Sequence, residues 1–177
     1  GKTLNAGQIC LAPDYAFVPQ EKTAEFVGAA TKAIETMYPS GLKDNDDYTS
    51  VVNQRHYDRI MSYIEEAREK GAEVHELNPA GENFSQQPHR KIPPHIIVNP
   101  GDDLKVMQDE IFGPILPIKS YGETKDAVAY VNAHDRPLGL YYFGEDSTEK
   151  DYVLNNTTSG GVTVNDVIFH VAQEDLP

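Results

Sequence analysis

The chain has 177 residues, 39% of them hydrophobic and 24% charged, which suits one globular domain large enough to bury a core. Its 28 acidic against 15 basic residues give a net charge of −13, which argues against nucleic-acid binding and against an anionic membrane surface. One cysteine excludes an internal disulfide framework and fits a reducing compartment, so the expected location is cytoplasmic. No apolar run approaches the roughly 18 residues of a membrane span, and Gly1-Lys2-Thr3-Leu4 shows no signal-peptide pattern.

That cysteine, Cys10, comes first in chain order, behind the small-residue turn Asn5-Ala6-Gly7. The strand-like run Asp14 to Val18 follows it and ends at Pro19, so the thiol is expected at the mouth of a loop entering a sheet. Loops on a rigid scaffold are where reactive groups sit, although an unpaired cysteine is more commonly a small buried hydrophobe. Gln20 to Tyr38 reads as a helix, with Phe26, Ala29, Ala30, Ala33, Ile34 and Met37 on one apolar face. Asp44 to Asp47 reads as a solvated acidic turn. It lacks the glycine and terminal glutamate of a calcium loop, and no metal is expected.

A second helix is predicted from about Ser50 to Lys70, with Tyr57, Ile60, Ile64 and Ala67 buried and Gly71 as its C-terminal cap. Glu73 to Leu77 alternates like a strand, and Asn78 to Pro94 is a loop with room for a hairpin. His95 to Asn99 is a near-continuous apolar run, the pattern of a strand covered on both faces. Ile115 to Tyr121 is a strand whose Pro117 predicts an edge or irregular position. A helix over Thr124 to Ala133, a strand over Leu138 to Phe143, a helix over Ser147 to Asn156 with a Ser/Thr start, and a strand over Val162 to Asn165 complete the series. Strands alternating with helices predict an α/β fold with a mainly parallel, helix-covered sheet of βα units.

Three stretches stand out: the Cys10 turn, Asp109-Glu110-Ile111-Phe112-Gly113-Pro114, and Ser159 to Asp166. Alone, Glu110 reads as a charged turn before a strand. In this order and spacing, the three resemble the aldehyde dehydrogenase superfamily over nearly the whole chain. Asn5-x-Gly7-Gln8-x-Cys10 is similar to the family's catalytic-cysteine signature, and Glu110-Ile111-Phe112-Gly113-Pro114 to its cofactor-ribose signature. Gly7 to Tyr15, Pro137 to Tyr141 and Gly160 to Val167 are similar to a narrower branch that holds coniferyl aldehyde dehydrogenases and the class 3 enzymes.

The resemblance implies a catalytic-domain fold of that family and oxidation of an aldehyde, aromatic and coniferyl-aldehyde-like, with NAD or NADP. Cys10 would be the nucleophile, passing through a thiohemiacetal and a thioester. Its backbone N–H would be an oxyanion donor. Glu110 would accept from the nicotinamide ribose hydroxyls and Phe112 would pack beside the ring. Asn165, Ile168 and His170 would line the aldehyde funnel, although a lone histidine is more commonly a packing or surface residue. The family's general-base glutamate, second oxyanion donor, dinucleotide-binding domain and C-terminal oligomerisation strand have no counterpart in the sequence. Gly160-Gly161 lacks the later glycine of a Rossmann fingerprint and follows a helix. The whole span 1–177 is therefore expected to be one cysteine-bearing domain of a longer polypeptide, inactive alone, whose parent is a homodimer or homotetramer. Two other readings remain open on the same residues: a semialdehyde or acyl-forming dehydrogenase, and a non-catalytic domain that self-associates through exposed apolar surface or an unpaired strand edge.

Overall fold

The computed structural model describes residues 1–175. Strands β1 (Ala16–Pro19), β2 (Glu73–Glu76), β3 (His95–Val98) and β4 (Ile115–Tyr121) form one sheet in the order β1-β4-β3-β2. β4 runs parallel to both β1 and β3, and β2 pairs antiparallel at the edge. This is the mainly parallel α/β sheet that the strand and helix pattern predicts. Among the described residues no helix is long and apolar enough to cross a membrane.

Helices α1 (Thr23–Met37) and α2 (Gln54–Glu69) cover opposite faces of the sheet. The period-two alternation of a strand divides the core between them. Ile96, Val98 and Ile118 join Val18 and Ile34 on the α1 side. Ile97 and Ile115 join Ile60, Tyr63, Ile64 and Ala67 on the α2 side. All four residues of β3 are buried, as its unbroken apolar run predicts. Its isoleucines and valine each contribute about 1.5–3 kcal/mol on leaving water. α2 starts four residues later than predicted. Asn53 caps it by accepting from the His56 N–H at 3.0 Å, and Val51 instead pairs its N–H with the Arg90 carbonyl at 3.0 Å. Gly71 ends it as predicted, at φ 78.

Pro117 is not at an edge. It lies in β4, one of the two internal strands of the sheet. Asn99 N–H donates to the Ile118 carbonyl at 2.8 Å, so Ile118 faces β3 and Pro117 turns its nitrogen toward β1. The β1 ladder begins only at Ile118, opposite Ala16, so no partner awaits the missing N–H.

The apolar face of α1 is only partly covered. Ile34 is buried, but Ala29, Ala33 and Met37 are exposed. The periodicity finds the stripe correctly, yet nothing among the described residues packs on its outer half. Gly28 lies on the exposed side of α1, and an added Cβ there would meet nothing within 4 Å. Gly28→Ala is expected to raise stability by about 1 kcal/mol, measured by urea or thermal unfolding. A lower stability would contradict the open surroundings of this position.

The stretch between β2 and β3 forms neither strand nor hairpin. The Glu82 carboxylate holds it by accepting from the Leu42 N–H at 2.6 Å and the Lys43 N–H at 3.1 Å. The single-turn α3 (Lys105–Gln108), which the sequence pattern does not predict, precedes β4. α4 (Thr124–Asn132), β5 (Gly139–Tyr142), α5 (Ser147–Asn156) and β6 (Gly161–Val164) follow it. β5 and β6 pair in parallel as a separate two-stranded sheet. α5 has the predicted bounds, but its cap is Asp146, which accepts from Thr148 and Glu149 N–H at 2.8 and 3.1 Å.

Candidate active site

The cysteine turn is a run of left-handed residues. Asn5, Ala6 and Gly7 have φ of 50, 51 and 72. Asparagine and glycine tolerate that region; alanine pays about 1–2 kcal/mol for it. Fixed partners on both sides keep the turn in place. Asn5 Nδ2 donates to the Gln8 carbonyl at 3.2 Å, and Gln8 Nε2 returns a bond to the Asn5 carbonyl at 3.0 Å. Gln8 also reaches across the chain. Its Nε2 donates to the Ser50 carbonyl at 3.0 Å and its Oε1 accepts from Val52 N–H at 2.9 Å. Cys10 follows on a turn closed by Ala12 N–H on the Ile9 carbonyl at 3.0 Å. Its side chain is exposed. Among the described residues neither its thiol nor its N–H has a hydrogen-bond partner.

Gly7 joins this turn to the second motif. A Cβ at Gly7 would collide with the Gly113 carbonyl oxygen, so the two main chains touch because position 7 is glycine. Asp14 adds a second link, since its Oδ1 accepts from Ile111 N–H at 3.3 Å. Glu110 is exposed, and among the described residues its carboxylate has no partner. Phe112 is 40% exposed and held at φ 46, a region that aromatic residues avoid. Four of the seven non-glycine residues with positive φ fall in the three motifs, Asn5, Ala6, Phe112 and Asn165, and Ile168 lies just beyond the third. Strained backbone of this kind concentrates at functional sites and persists only where the surroundings over-determine it.

The third motif meets the first through Tyr141 on β5, a residue the sequence does not single out. The Tyr141 hydroxyl donates to the Leu11 carbonyl at 2.7 Å. Burial pushes its phenol up; a hydrogen bond from the Ile168 main chain opposes this, and the nearby Cys10 adds to it. The hydroxyl therefore stays protonated and remains a donor. The His170 ring lies 6.1 Å from the Tyr141 ring, with Nδ1 3.0 Å from Thr163 Oγ1. Tyr141 thus gathers Cys10, Ile168 and His170 into one neighbourhood. Asn165 spends its amide elsewhere: Oδ1 accepts from Gly144 N–H at 2.8 Å and Nδ2 donates to the Gly144 carbonyl at 3.2 Å. Nothing in the sequence separates Tyr141 from Tyr142 and Phe143 beside it.

Chemically, the arrangement offers an accessible thiol beside a free N–H donor. Next to it, an unpaired carboxylate and an open aromatic ring stand on a rigid turn. A carboxylate accepts two vicinal hydroxyls, and an open ring packs on a flat heterocycle, so Glu110 and Phe112 fit the ribose and ring of a nicotinamide nucleotide. Among the described residues no three His, Cys, Asp or Glu side chains gather to hold a metal ion.

Comparison with known proteins bears on the family and the fold. The profile of the aldehyde dehydrogenase family matches residues 1–177. A probable coniferyl aldehyde dehydrogenase of Caulobacter vibrioides is 66% identical over the whole chain, and a coniferyl aldehyde dehydrogenase of a Pseudomonas species is 51% identical over 176 residues. The chain spans 36% of the length of each. The substrate-bound structure of AldH from Staphylococcus aureus superposes with a TM-score of 0.88 at 33% identity, covering 99% of this chain and 37% of that one.

Proposed function

The chain belongs to the aldehyde dehydrogenase family, and from that premise we propose that it carries the nucleophile and the nicotinamide-side residues of an enzyme oxidising aldehydes to carboxylic acids. The observation that carries this reading is the contact of Gly7 with Gly113, which locks the Cys10 turn to the Glu110–Phe112 turn.

In this reading the Cys10 thiolate adds to the aldehyde carbon. A C–S bond forms, and the carbonyl electron pair moves to oxygen, where the free Cys10 N–H donates to it. A bound nicotinamide supplies the acceptor for the hydride that leaves this carbon. The C=O bond re-forms as a thioester on Cys10. Water then adds, the C–S bond breaks, and the acid departs as the thiolate is regenerated. Glu110 holds the ribose and Phe112 holds the ring, of NAD or NADP. Tyr141, Ile168 and His170 border the aldehyde entrance, with Asn165 bracing the end of β5.

No side chain among the described residues hydrogen-bonds to the thiol, so we assign the general base and the dinucleotide-binding domain to other parts of a polypeptide of the relatives' length. Exposed Val162, Val164, Phe169 and Val171 beside the open edge of β6 support assembly into a homodimer or homotetramer. A reducing cytoplasm would keep the single thiol available. The names of the 66% and 51% identical relatives support a coniferyl-type aromatic aldehyde as substrate.

The test is NADH or NADPH formation. The polypeptide of the relatives' length is expected to turn over coniferyl aldehyde with a higher kcat/KM than an aliphatic aldehyde, and the 177-residue chain alone to give no turnover. Equal kcat/KM would overturn the substrate class. Turnover by the chain alone would overturn the division of the site.

A further inference from the structure

We propose that Arg59 is a positioning residue: its guanidinium holds the Glu110–Phe112 turn in the one conformation that offers the Glu110 carboxylate and the Phe112 ring to the dinucleotide. This deepens the proposed function and rests on it.

Arg59 lies on α2, some fifty residues before the turn it holds. Its Nη2 donates to the Ile111 carbonyl at 2.7 Å and its Nη1 to the Glu110 carbonyl at 3.3 Å. Nη1 also donates to Tyr63 Oη at 2.9 Å, and the Tyr63 hydroxyl in turn donates to Asp109 Oδ2 at 2.8 Å. Nε lies 3.4 Å from His56 Nδ1. The guanidinium thus spends its fork on two successive main-chain carbonyls and, through Tyr63, on the residue before them. No carboxylate pairs with it directly among the described residues.

The turn from Asp109 to Phe112 belongs to no helix or strand, so the Glu110 and Ile111 carbonyls have no ladder to join. With Arg59 on both carbonyls and Asp14 on the Ile111 N–H, the main chain before Phe112 is tied on each side. After Phe112, Gly113 is wedged between Gly7 and Ile60; a Cβ on Gly113 would meet Ile60 Cδ1 at 2.5 Å. Phe112 at φ 46 sits between these two anchors. Release of either lets Phe112 relax to negative φ, which swings Glu110 and Phe112 away from their present direction. Lysine cannot replace the fork, since one ammonium does not span two carbonyls at fixed geometry.

The test compares Arg59→Lys with Glu110→Gln in the polypeptide of the relatives' length. Arg59→Lys is expected to raise the dinucleotide KM by about tenfold to a hundredfold, the worth of one charged hydrogen bond, with the aldehyde KM and the rate of Cys10 alkylation by iodoacetamide unchanged. A merely structural residue would move all three together or none, and either outcome overturns the proposal. Should Arg59→Lys fold poorly, Arg59→Ala with added ethylguanidinium decides: recovery of the dinucleotide KM supports the clamp and no recovery overturns it. An unchanged dinucleotide KM in Glu110→Gln would sink the premise about Glu110. A raised value there with no change in Arg59→Lys would sink the role of Arg59 alone.

Discussion

Cys10→Ala is expected to lower aldehyde turnover on the order of 10⁶-fold, the loss recorded when a covalent nucleophile is removed from an acyl-transfer site. Stability is expected to change little. The side chain is exposed, and among the described residues it has no hydrogen bond. Exposed substitutions stay within about 0.5 kcal/mol, or roughly 2 °C in Tm for a chain of this size. The measurement pairs steady-state turnover of the polypeptide of the relatives' length with a thermal melt of the chain. Turnover within about tenfold of the parent would end the nucleophile assignment. A large fall in Tm would mean that Cys10 is a packing residue after all, the reading that an unpaired cysteine invites.

Gly7→Ala is the complementary case, with its largest effect on stability. At φ 72 an alanine pays about 1–2 kcal/mol. Its Cβ would also run into the Gly113 carbonyl and come within 3.2 Å of the Lys2 carbonyl. These are main-chain atoms and cannot rotate away, so overpacking adds about 1–3 kcal/mol. The sum, about 2–5 kcal/mol, corresponds to a fall in Tm of about 5–15 °C by differential scanning calorimetry. The two turns must then separate, so aldehyde turnover should fall with stability. A Tm within about 2 °C of the parent would show that the two turns do not touch.

The contrast with Gly28→Ala isolates the cause. The same change is expected to stabilise on the open face of α1 and to destabilise at Gly7, because one Cβ enters solvent and the other enters backbone.

Much of the fold was legible because periodicity encodes burial. Ile60, Ile64 and Ala67 recur at helical spacing and are all buried. His95 to Val98 lacks polar alternation and is covered on both sides. Pro117 misled because a missing N–H matters only where a partner faces it, and a neighbouring strand's starting point is not written beside the proline. The outer half of α1 misled because an apolar stripe says what wants cover, not what supplies it.

The site divides the same way. Cys10, Glu110 and Phe112 were legible as motifs, since each is a local cluster of unusual residue types. Arg59, Tyr63, Asp14 and Tyr141 were not. Arg59 reaches residues 51 and 52 positions away, and Tyr141 reaches one 130 positions away. Nothing in the residues around Arg59 distinguishes it from a solvated charge on a polar helix face.

By itself, then, the sequence determined the residue chemistry, the alternation of strands and helices, and the two motifs that bear a thiol and a carboxylate. Those are properties of neighbours in the chain, set by local sterics and by the spacing of apolar side chains. Only the tertiary structure decided that Gly7 meets Gly113, that Arg59 holds the turn before Phe112, and that Tyr141 donates to the Leu11 carbonyl beside Cys10. Those contacts join residues tens to more than a hundred positions apart. Their energies depend on distance in space, which residue spacing along the chain does not carry.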